Sequence, residues 1–404
     1  MPDDTVLTGD NAVFWAVLQT GQVTPLAIGG PGTAKTKTKS IEAFGRAARR
    51  PVYTLIGSIR EPADIGGYPY PVQHEVVTDP VSGKKQAVYM ALLPPKWAVD
   101  CHNGDGRPWI IFLDELTCNA PAVQAAMLGV ITEKRVGDLP LPPETWIGAA
   151  CNPAGQAAGG YELEPPMANR LYHHPWAMDT DAWDMGMLSG LRFPEPRFAV
   201  LPDTWKDHLG ANGARFAAFR RARPSLFYQY PEEDQAKAGG PWPSPRSITS
   251  ACLCATAVEA ISTDVALRYQ AIAGCVGDDW AHEFRQWEQA LDLPDPEAVL
   301  AKAMAATAAG RPVEDGFLPG RADQVLAFLG ALADRVLRHG NTRQRWEAGM
   351  EILGLVWKSW KELAVIGGAA LAQGYRAGYR VPADFSGQAL PLMVRAGMVQ
   401  GGVP

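Results

Sequence analysis

One short stretch near the amino terminus constrains this chain more than any other. The apolar residues 26–28 (LAI) pass directly into the glycine-rich segment 29–36 (GGPGTAKT), and a Thr- and Lys-rich sequence follows. This order predicts a buried strand, a tight turn and the start of a helix. Because three glycines occur in the turn, successive backbone N–H groups can point at one place, where the helix N-terminus adds positive partial charge. The stretch therefore predicts a cradle for a phosphate group.

The same segment fits the nucleotide-phosphate pattern G-x-x-x-x-G-K-[ST] at every position except Ala34, where the pattern has glycine. A methyl group at this position is compatible with right-handed helical geometry, so we expect it to be tolerated. Lys35 would reach the β- and γ-phosphates, and the Thr36 hydroxyl would ligate Mg²⁺. An ordinary Gly/Pro turn beside a lysine is the alternative interpretation of this motif. The residues expected to bind the nucleotide are Gly30, Pro31, Gly32, Thr33, Ala34, Lys35, Thr36 and Lys37.

A second motif, WIIFLDEL at residues 109–116, supports the nucleotide interpretation. Its apolar run predicts a strand that is buried on both faces of a parallel sheet. Asp114 and Glu115 follow at the carboxyl end of this strand, the edge where open α/β sheets bind their ligands. We expect Asp114 to hold Mg²⁺ through water and Glu115 to polarise the water that attacks the γ-phosphate. Two acids at a strand end can also be solvated loop residues, but the upstream phosphate motif disfavours that interpretation.

Two later residues could take part in the same chemistry. Asn152 follows a strand predicted over residues 147–150 and could hydrogen-bond the attacking water or the γ-phosphate. An Asn-Pro sequence after a strand is usually only a turn, and its position after the two main motifs is what favours a phosphate sensor. Arg170 ends a short helix predicted within residues 164–172 (EPPMANRLY). The alternative for this arginine is a local ion pair.

The acidic charge balance gives no general attraction to nucleic acid or to anionic membranes. The chain has 404 residues and a formal net charge of -6, so only a local basic patch could attract a polyanion. Its six cysteines occur without a C-x-x-C zinc pairing, as expected for buried free thiols. Neither a signal peptide nor an apolar run of transmembrane length is evident. We therefore expect a cytoplasmic protein that does not bind membranes.

The length is sufficient for more than one domain. Alternating strand and helix signals predict an α/β domain with a central parallel sheet over residues 1–190. Alternating apolar and polar residues around turn signals predict two β-hairpin insertions in this domain, at residues 68–97 and 134–146. Helical patterning then predicts an α-helical lid over residues 191–302 and a C-terminal helical extension over residues 303–404.

The ordered set GGPGTAKT, FLDEL, ACNP, a helix-end arginine and SPRS resembles the MoxR-type AAA+ ATPases, a group of P-loop NTPases. The resemblance extends over about residues 11–291, and the set is far more specific than any single motif. It implies that Asn152 is the first sensor, that Arg170 is an arginine finger offered to a neighbouring subunit, and that Arg246 is the second sensor in the lid. Ala34 agrees with this family, in which G-x-P-G-x-A-K-T is common. The extension after about residue 302 has no counterpart.

The resemblance implies hydrolysis of ATP with Mg²⁺, for which Glu115, Asn152, Arg170 and Arg246 would form the catalytic set. Relatives form homo-oligomeric, hexameric rings and remodel protein partners, often proteins with a von Willebrand factor A domain. The two hairpins would decorate the ring face or the pore. A nucleotide-gated scaffold with little turnover and a motor stimulated by nucleic acid are the alternatives, and the acidic balance disfavours the second. The sequence leaves the preference for ATP over GTP, the ring size and the partner open.

Overall fold

The computed structural model describes residues 11–33, 35, 41–72, 77–78, 81, 85–86, 89–104, 107–156, 161–194, 198–232, 234–338, 340–382, 385 and 387. Contacts divide the chain into two compact units. The first unit combines Met1–Pro202 with Gln229–Asp278, and the second combines Asp203–Tyr228 with Asp279–Pro404.

The strands of the described residues all lie in the first unit. In chain order they are β1 (Thr24–Ile28), β2 (Val52–Ile56), β3 (Tyr68–Val72), β4 (Val77–Thr78), β5 (Lys85–Gln86), β6 (Tyr89–Leu93), β7 (Ile110–Asp114), β8 (Arg135–Val136), β9 (Leu139–Pro140), β10 (Trp146–Cys151) and β11 (Leu171–Pro175).

The helices occur in both units. In chain order they are α1 (Ala12–Thr20), α2 (Ile41–Ala47), α3 (Pro62–Gly66), α4 (Lys96–Asn103), α5 (Pro121–Glu133), α6 (Pro165–Ala168), α7 (Thr180–Leu188), α8 (Leu209–Ala222), α9 (Gln235–Ala238), α10 (Pro245–Glu259), α11 (Val265–Val276), α12 (Asp278–Gln289), α13 (Pro296–Ala308), α14 (Ala322–Arg338), α15 (Arg343–Ser359) and α16 (Lys361–Ala372). Short 3-10 turns occur at Gly57–Ile59, Leu116–Cys118, Ala154–Gln156, Asp203–His208 and Pro224–Leu226.

Five strands form one parallel sheet in the order β11-β1-β10-β7-β2. Strands β1, β7 and β10 occupy its middle and are almost entirely buried, as expected for apolar runs that are covered on both faces. Their carboxyl ends lie at one edge, because Ile28 pairs with Cys151 and Ile56 pairs with Asp114. The predicted α/β fold with a central parallel sheet is confirmed.

Side chains that alternate along the strands contribute to two separate cores, one on each face of the sheet. Ile110 and Phe112 pack with residues of α1 and α2. Ile111 and Leu113 pack with residues of α4, α5 and α6. Helices therefore cover both faces of the sheet, and the loops that follow the strands lie at its edges.

Both segments predicted as hairpins contain antiparallel strand pairs. In the first, β3 pairs with β6, where Tyr68 lies opposite Leu93, and β4 pairs with β5. In the second, β8 pairs with β9. The two insertions also meet, because the Leu92 N–H donates a hydrogen bond to Asp138 Oδ2 over 2.8 Å.

Helices α10 and α11 belong to the unit that contains the sheet. Gly274 of α11 packs directly on β11, since a Cβ there would lie 2.2 Å from Tyr172 Cε2 and 2.6 Å from the His173 carbonyl oxygen. The range 191–302, predicted as a separate lid, is therefore divided between the two units, and its predicted end falls within α13. Helical patterning predicts where helices occur but not which core they join, because that depends on close approach at small residues such as this glycine.

The second unit is helical and has its own aromatic core. Helices α8 and α14 pack along each other. Phe216 and Phe219 of α8 contact Trp280 and Phe284 of α12 through stacked, tilted and edge-on ring pairs. Among the helices that the structure describes, none has the length and apolar character that a membrane span requires.

Candidate nucleotide-binding site

Three loops meet at the carboxyl edge of the sheet. The glycine-rich turn follows β1, Asn152 follows the neighbouring β10, and the acid pair lies at the end of the next strand, β7. The Gly29 N–H donates a hydrogen bond to the Cys151 carbonyl over 3.3 Å, which holds the first two loops together beyond the last strand pair. Open α/β sheets bind their ligands at this edge, so the topology brings the predicted motifs to a suitable place.

Two positions of the glycine-rich turn favour glycine. Gly32 has a φ of 83°, a left-handed conformation that residues with a Cβ rarely adopt. At Gly29 a Cβ would lie 3.2 Å from Trp176 Cβ, closer than ordinary van der Waals contact. Trp176 also donates from its indole Nε1 to the Thr33 carbonyl over 3.2 Å, so the residue after β11 supports the turn from outside. These residues fit a turn in which backbone groups approach the ligand.

The Lys35 ammonium folds back onto the turn that carries it. Its Nζ donates to the carbonyl oxygens of Gly29 and Gly30 over 2.6 and 2.7 Å, and to Asn152 Oδ1 over 3.0 Å. Lys35 is only 7% exposed. This burial lowers the pKa of Lys35, and the neighbouring Cys151 and Asp114 oppose the effect. All three N–H groups of the ammonium therefore have acceptors at hydrogen-bonding distance.

The two carboxylates at the end of β7 have different hydrogen-bond partners. Asp114 Oδ1 accepts from the Glu115 N–H over 2.8 Å. Glu115 has a φ of 58°, which is uncommon for a residue with a Cβ, and its Oε2 accepts a hydrogen bond from Ser58 Oγ. Ser58 is not among the residues predicted from the sequence. A hydroxyl two positions beyond the end of β2, the strand beside β7, is the signal that could have identified it.

Asn152 connects the glycine-rich turn with the acid loop. Its Oδ1 accepts from Lys35, and its backbone oxygen accepts from Thr117 Oγ1 over 3.0 Å. Thr117 is buried in the short 3-10 turn that follows Glu115. The adjacent thiol is neutral near pH 7, because burial raises the pKa of Cys151 to about 12. The predicted sensor and the predicted phosphate-binding lysine are thus in direct contact.

Arg170 and Arg246 lie in another cluster of the first unit. Arg170 follows α6, and its Nη1 donates to the Pro166 carbonyl. Arg246 is the second residue of α10 and is exposed. Burial lowers the pKa of Arg170, and the positive charge of Arg246 lowers it further. In the part of the chain that the structure describes, neither arginine pairs with a carboxylate, and no hydrogen bond joins either one to Lys35.

Ala34, Thr36 and Lys37, three of the predicted nucleotide ligands, lie outside the described residues. Thr36 is also one of the two predicted Mg²⁺ ligands. The other, Asp114, is close enough to Lys35 to oppose the lowering of its pKa. A Mg²⁺ ion bound with a nucleotide takes most of its oxygen ligands from phosphates and water, so one carboxylate beside the lysine fits such an ion.

No family model and no curated protein matches the sequence. Among solved structures, a candidate ATPase from Cytophaga hutchinsonii ATCC 33406 is 16% identical with a TM-score of 0.33, over 67% of this chain and 77% of that one. A full-length MCM homolog from Methanopyrus kandleri is 14% identical with the same TM-score of 0.33, over 70% of this chain and 57% of that one. Likenesses of this size assign neither a fold nor a function.

Proposed function

We propose that this chain is a Mg²⁺-dependent ATPase of the MoxR type within the AAA+ class, and that it binds the nucleotide at the carboxyl edge of the sheet. The observation that carries the proposal is the contact between Lys35 and Asn152, which joins the glycine-rich turn to the end of β10. Asp114 and Glu115 lie at the end of the next strand. A lysine, an amide and two carboxylates from three adjacent strands can hold nucleotide phosphates and position a water molecule.

Binding would transfer the donors of Lys35 from the turn to phosphate oxygens. The ammonium donates to the carbonyls of Gly29 and Gly30, which are neutral acceptors. The bonds of the ammonium to these carbonyls are already charge-assisted, but a phosphate oxygen adds a full opposite charge, so the exchange favours the bound nucleotide. Mg²⁺, when bound, would neutralise phosphate charge and is assigned to Asp114 and Thr36.

Hydrolysis would give Glu115 a second hydrogen-bond donor. Its carboxylate accepts a hydrogen bond from Ser58, and it must accept one from the attacking water to polarise it. The Asn152 amide would orient this water or the γ-phosphate after Lys35 has moved to the phosphates. Lys35 and Asp114 would then hold the nucleotide, while Glu115 and Asn152 would act on the water.

A ring assembly is proposed from the two arginines. Arg170 fits a finger that stabilises the γ-phosphate charge of a neighbouring protomer, and Arg246 fits the second sensor. A homo-oligomeric ring, hexameric by the family resemblance, gives every finger a neighbouring site. We propose remodelling of a protein partner as the task, and the resemblance implies a protein with a von Willebrand factor A domain. The exposed Tyr68, Tyr70 and Met90 of the first hairpin offer a surface for such a partner.

Glu115→Gln tests the proposed enzyme. The variant should keep its nucleotide affinity within about twofold and lose at least about a hundredfold in turnover, because the amide keeps the shape but cannot act as a base. Titration with a fluorescent ATP analogue measures binding, and phosphate release measures turnover. Lys35→Ala is the control and should lose both. Unchanged turnover in Glu115→Gln would remove this residue from the mechanism, and tight binding without wild-type turnover would favour a nucleotide-gated scaffold.

Mixed assemblies test the shared site. Arg170→Ala and Lys35→Ala chains should each be inactive alone, and a mixture should recover part of the activity. Recovery is expected because the intact Arg170 of one chain can serve the intact Lys35 site of the other. Complete absence of recovery would argue against a finger that acts on a neighbouring protomer.

The partner class can be tested by affinity capture with Glu115→Gln, which should accumulate in the ATP state. Recovery of a protein with a von Willebrand factor A domain would support remodelling. Stimulation of the wild-type ATPase by DNA or RNA, with no protein recovered, would contradict it.

A further inference from the structure

A buried hydrogen-bond network joins the segments that carry Arg170 and Arg246. The Asn169 side chain donates from Nδ2 to the Trp242 carbonyl over 3.0 Å and accepts at Oδ1 from Ser244 Oγ over 2.7 Å. Asn169 and Ser244 are each 4% exposed. Because an unpaired buried polar group is costly, these bonds hold two distant chain segments at a defined separation.

The same network determines how α10 begins. Ser244 is the N-cap residue, and its Oγ accepts from the Ser247 N–H over 3.1 Å, while Ser247 Oγ accepts from the Ser244 N–H over 2.8 Å. Ser247 Oγ also donates to the Trp242 carbonyl over 2.8 Å. A reciprocal cap satisfies two N–H groups and orients the first turn of the helix. We call Asn169, Trp242, Ser244 and Ser247 the Asn169 clamp.

The two arginines are the nearest charged residues in sequence to this clamp. Arg170 directly follows Asn169, and Arg246 lies two residues beyond Ser244. Consecutive Cα atoms are about 3.8 Å apart, so neither arginine backbone can shift far while the clamp is intact. Burial lowers the pKa of Arg170, and the charge of Arg246 lowers it further. The clamp therefore fixes the separation of the two backbone segments that carry the arginines.

We propose that Asn169 is a positioning residue that makes Arg170 and Arg246 act as one unit. The inference rests on the proposed function of the two arginines and adds that the clamp sets their spacing. A misplacement of about 1 Å in a group that stabilises the transition state can cost about a hundredfold in rate. Loss of the clamp should therefore lower turnover and leave nucleotide affinity unchanged, because Lys35 and Asn152 are not altered.

Asn169→Ala in the full-length chain tests this inference. We expect kcat to fall by about tenfold or more, with the KM for ATP within about twofold of wild type. The same substitution in an Arg170→Ala, Arg246→Ala background should change the residual kcat by less than about twofold, because its effect passes through the arginines. A merely structural role would lower kcat by the same factor in both backgrounds.

Two control variants separate the clamp from general loss of stability. Asn341→Ala removes another side-chain amide bridge, from Nδ2 to the Gly374 carbonyl at 2.8 Å in the second unit, and should leave kcat within about twofold. If Asn169→Ala does not fold, Ser244→Ala removes the bond to Asn169 and the cap bond from the Ser247 N–H, and it should still lower kcat. Asp264→Ala removes the N-cap of α11, which is matched to the cap lost in Ser244→Ala, and should leave kcat unchanged.

The outcomes distinguish this inference from the proposed function. If Arg170→Ala and Arg246→Ala both leave turnover unchanged, the proposed roles of the arginines are wrong and the inference fails with them. If the arginine variants lose turnover but Asn169→Ala has full wild-type kcat, or acts equally in both backgrounds, only the coupling is overturned.

Discussion

Ser58→Ala should increase the intrinsic rate of hydrolysis. The Ser58 hydroxyl donates to Glu115 Oε2, and this bond withdraws negative charge from the carboxylate and restrains its rotation, so it makes Glu115 a weaker acceptor for the proton of the attacking water. A hydrogen bond to a charged group contributes about 1.5–3 kcal/mol, but Ser58 is exposed and Glu115 only partly buried, so water competes for both. We therefore assign about 1 kcal/mol to the restraint, which corresponds to an increase of about fivefold in the rate of the chemical step.

Single-turnover phosphate release at saturating ATP measures this step directly. Ser58→Thr is the matched control, since it keeps the hydroxyl and should stay within about twofold of wild type. Nucleotide affinity should be the same in all three proteins, because Ser58 does not contact the glycine-rich turn through any hydrogen bond that the structure describes. A rate in Ser58→Ala that equals or falls below the wild-type rate would show that Ser58 does not restrain Glu115.

Two further predictions concern the stability of the first unit. Gly274→Ala should lower the free energy of unfolding in urea by about 2–3 kcal/mol, because the added Cβ would lie 2.2 Å from Tyr172 Cε2. The control Gly129→Ala should be tolerated, because its Cβ would meet open space. An unchanged midpoint for Gly274→Ala would contradict the packing of α11 on β11. Burial lowers the pKa values of His173 and His174 to about 4, so both stay neutral in the folded chain while the unfolded chain takes up protons below its own pKa of 6.5. The free energy of unfolding should be highest above pH 6.5 and decrease towards pH 4, with a loss on the order of 2 kcal/mol per histidine at about pH 5. Equal urea midpoints at about pH 5 and 7.5 would refute this prediction.

The parts of the site that could be predicted from the sequence have local determinants. The left-handed φ of Gly32 is a property of one residue, and a strand that ends in Asp114 can be identified from an apolar run. The sequence assigns both Lys35 and Asn152 to the region of the γ-phosphate, and in the structure the two side chains are hydrogen-bonded to each other. The packing of α10 and α11 with the sheet unit could not be found in this way, because their helical patterns do not specify a packing partner.

The sequence by itself determined the elements of this protein: a parallel α/β sheet, a glycine-rich turn after its first strand, and an acid pair at the end of another. Turn chemistry and apolar periodicity act over a few residues, so the sequence alone is sufficient to identify them. Only the tertiary structure decided that Ser58 holds Glu115 and that Asn169 is bonded to Ser244, 75 residues further along. These contacts depend on which strands are neighbours and on how closely a helix approaches the sheet, and both follow from the packing of the whole unit rather than from any local pattern.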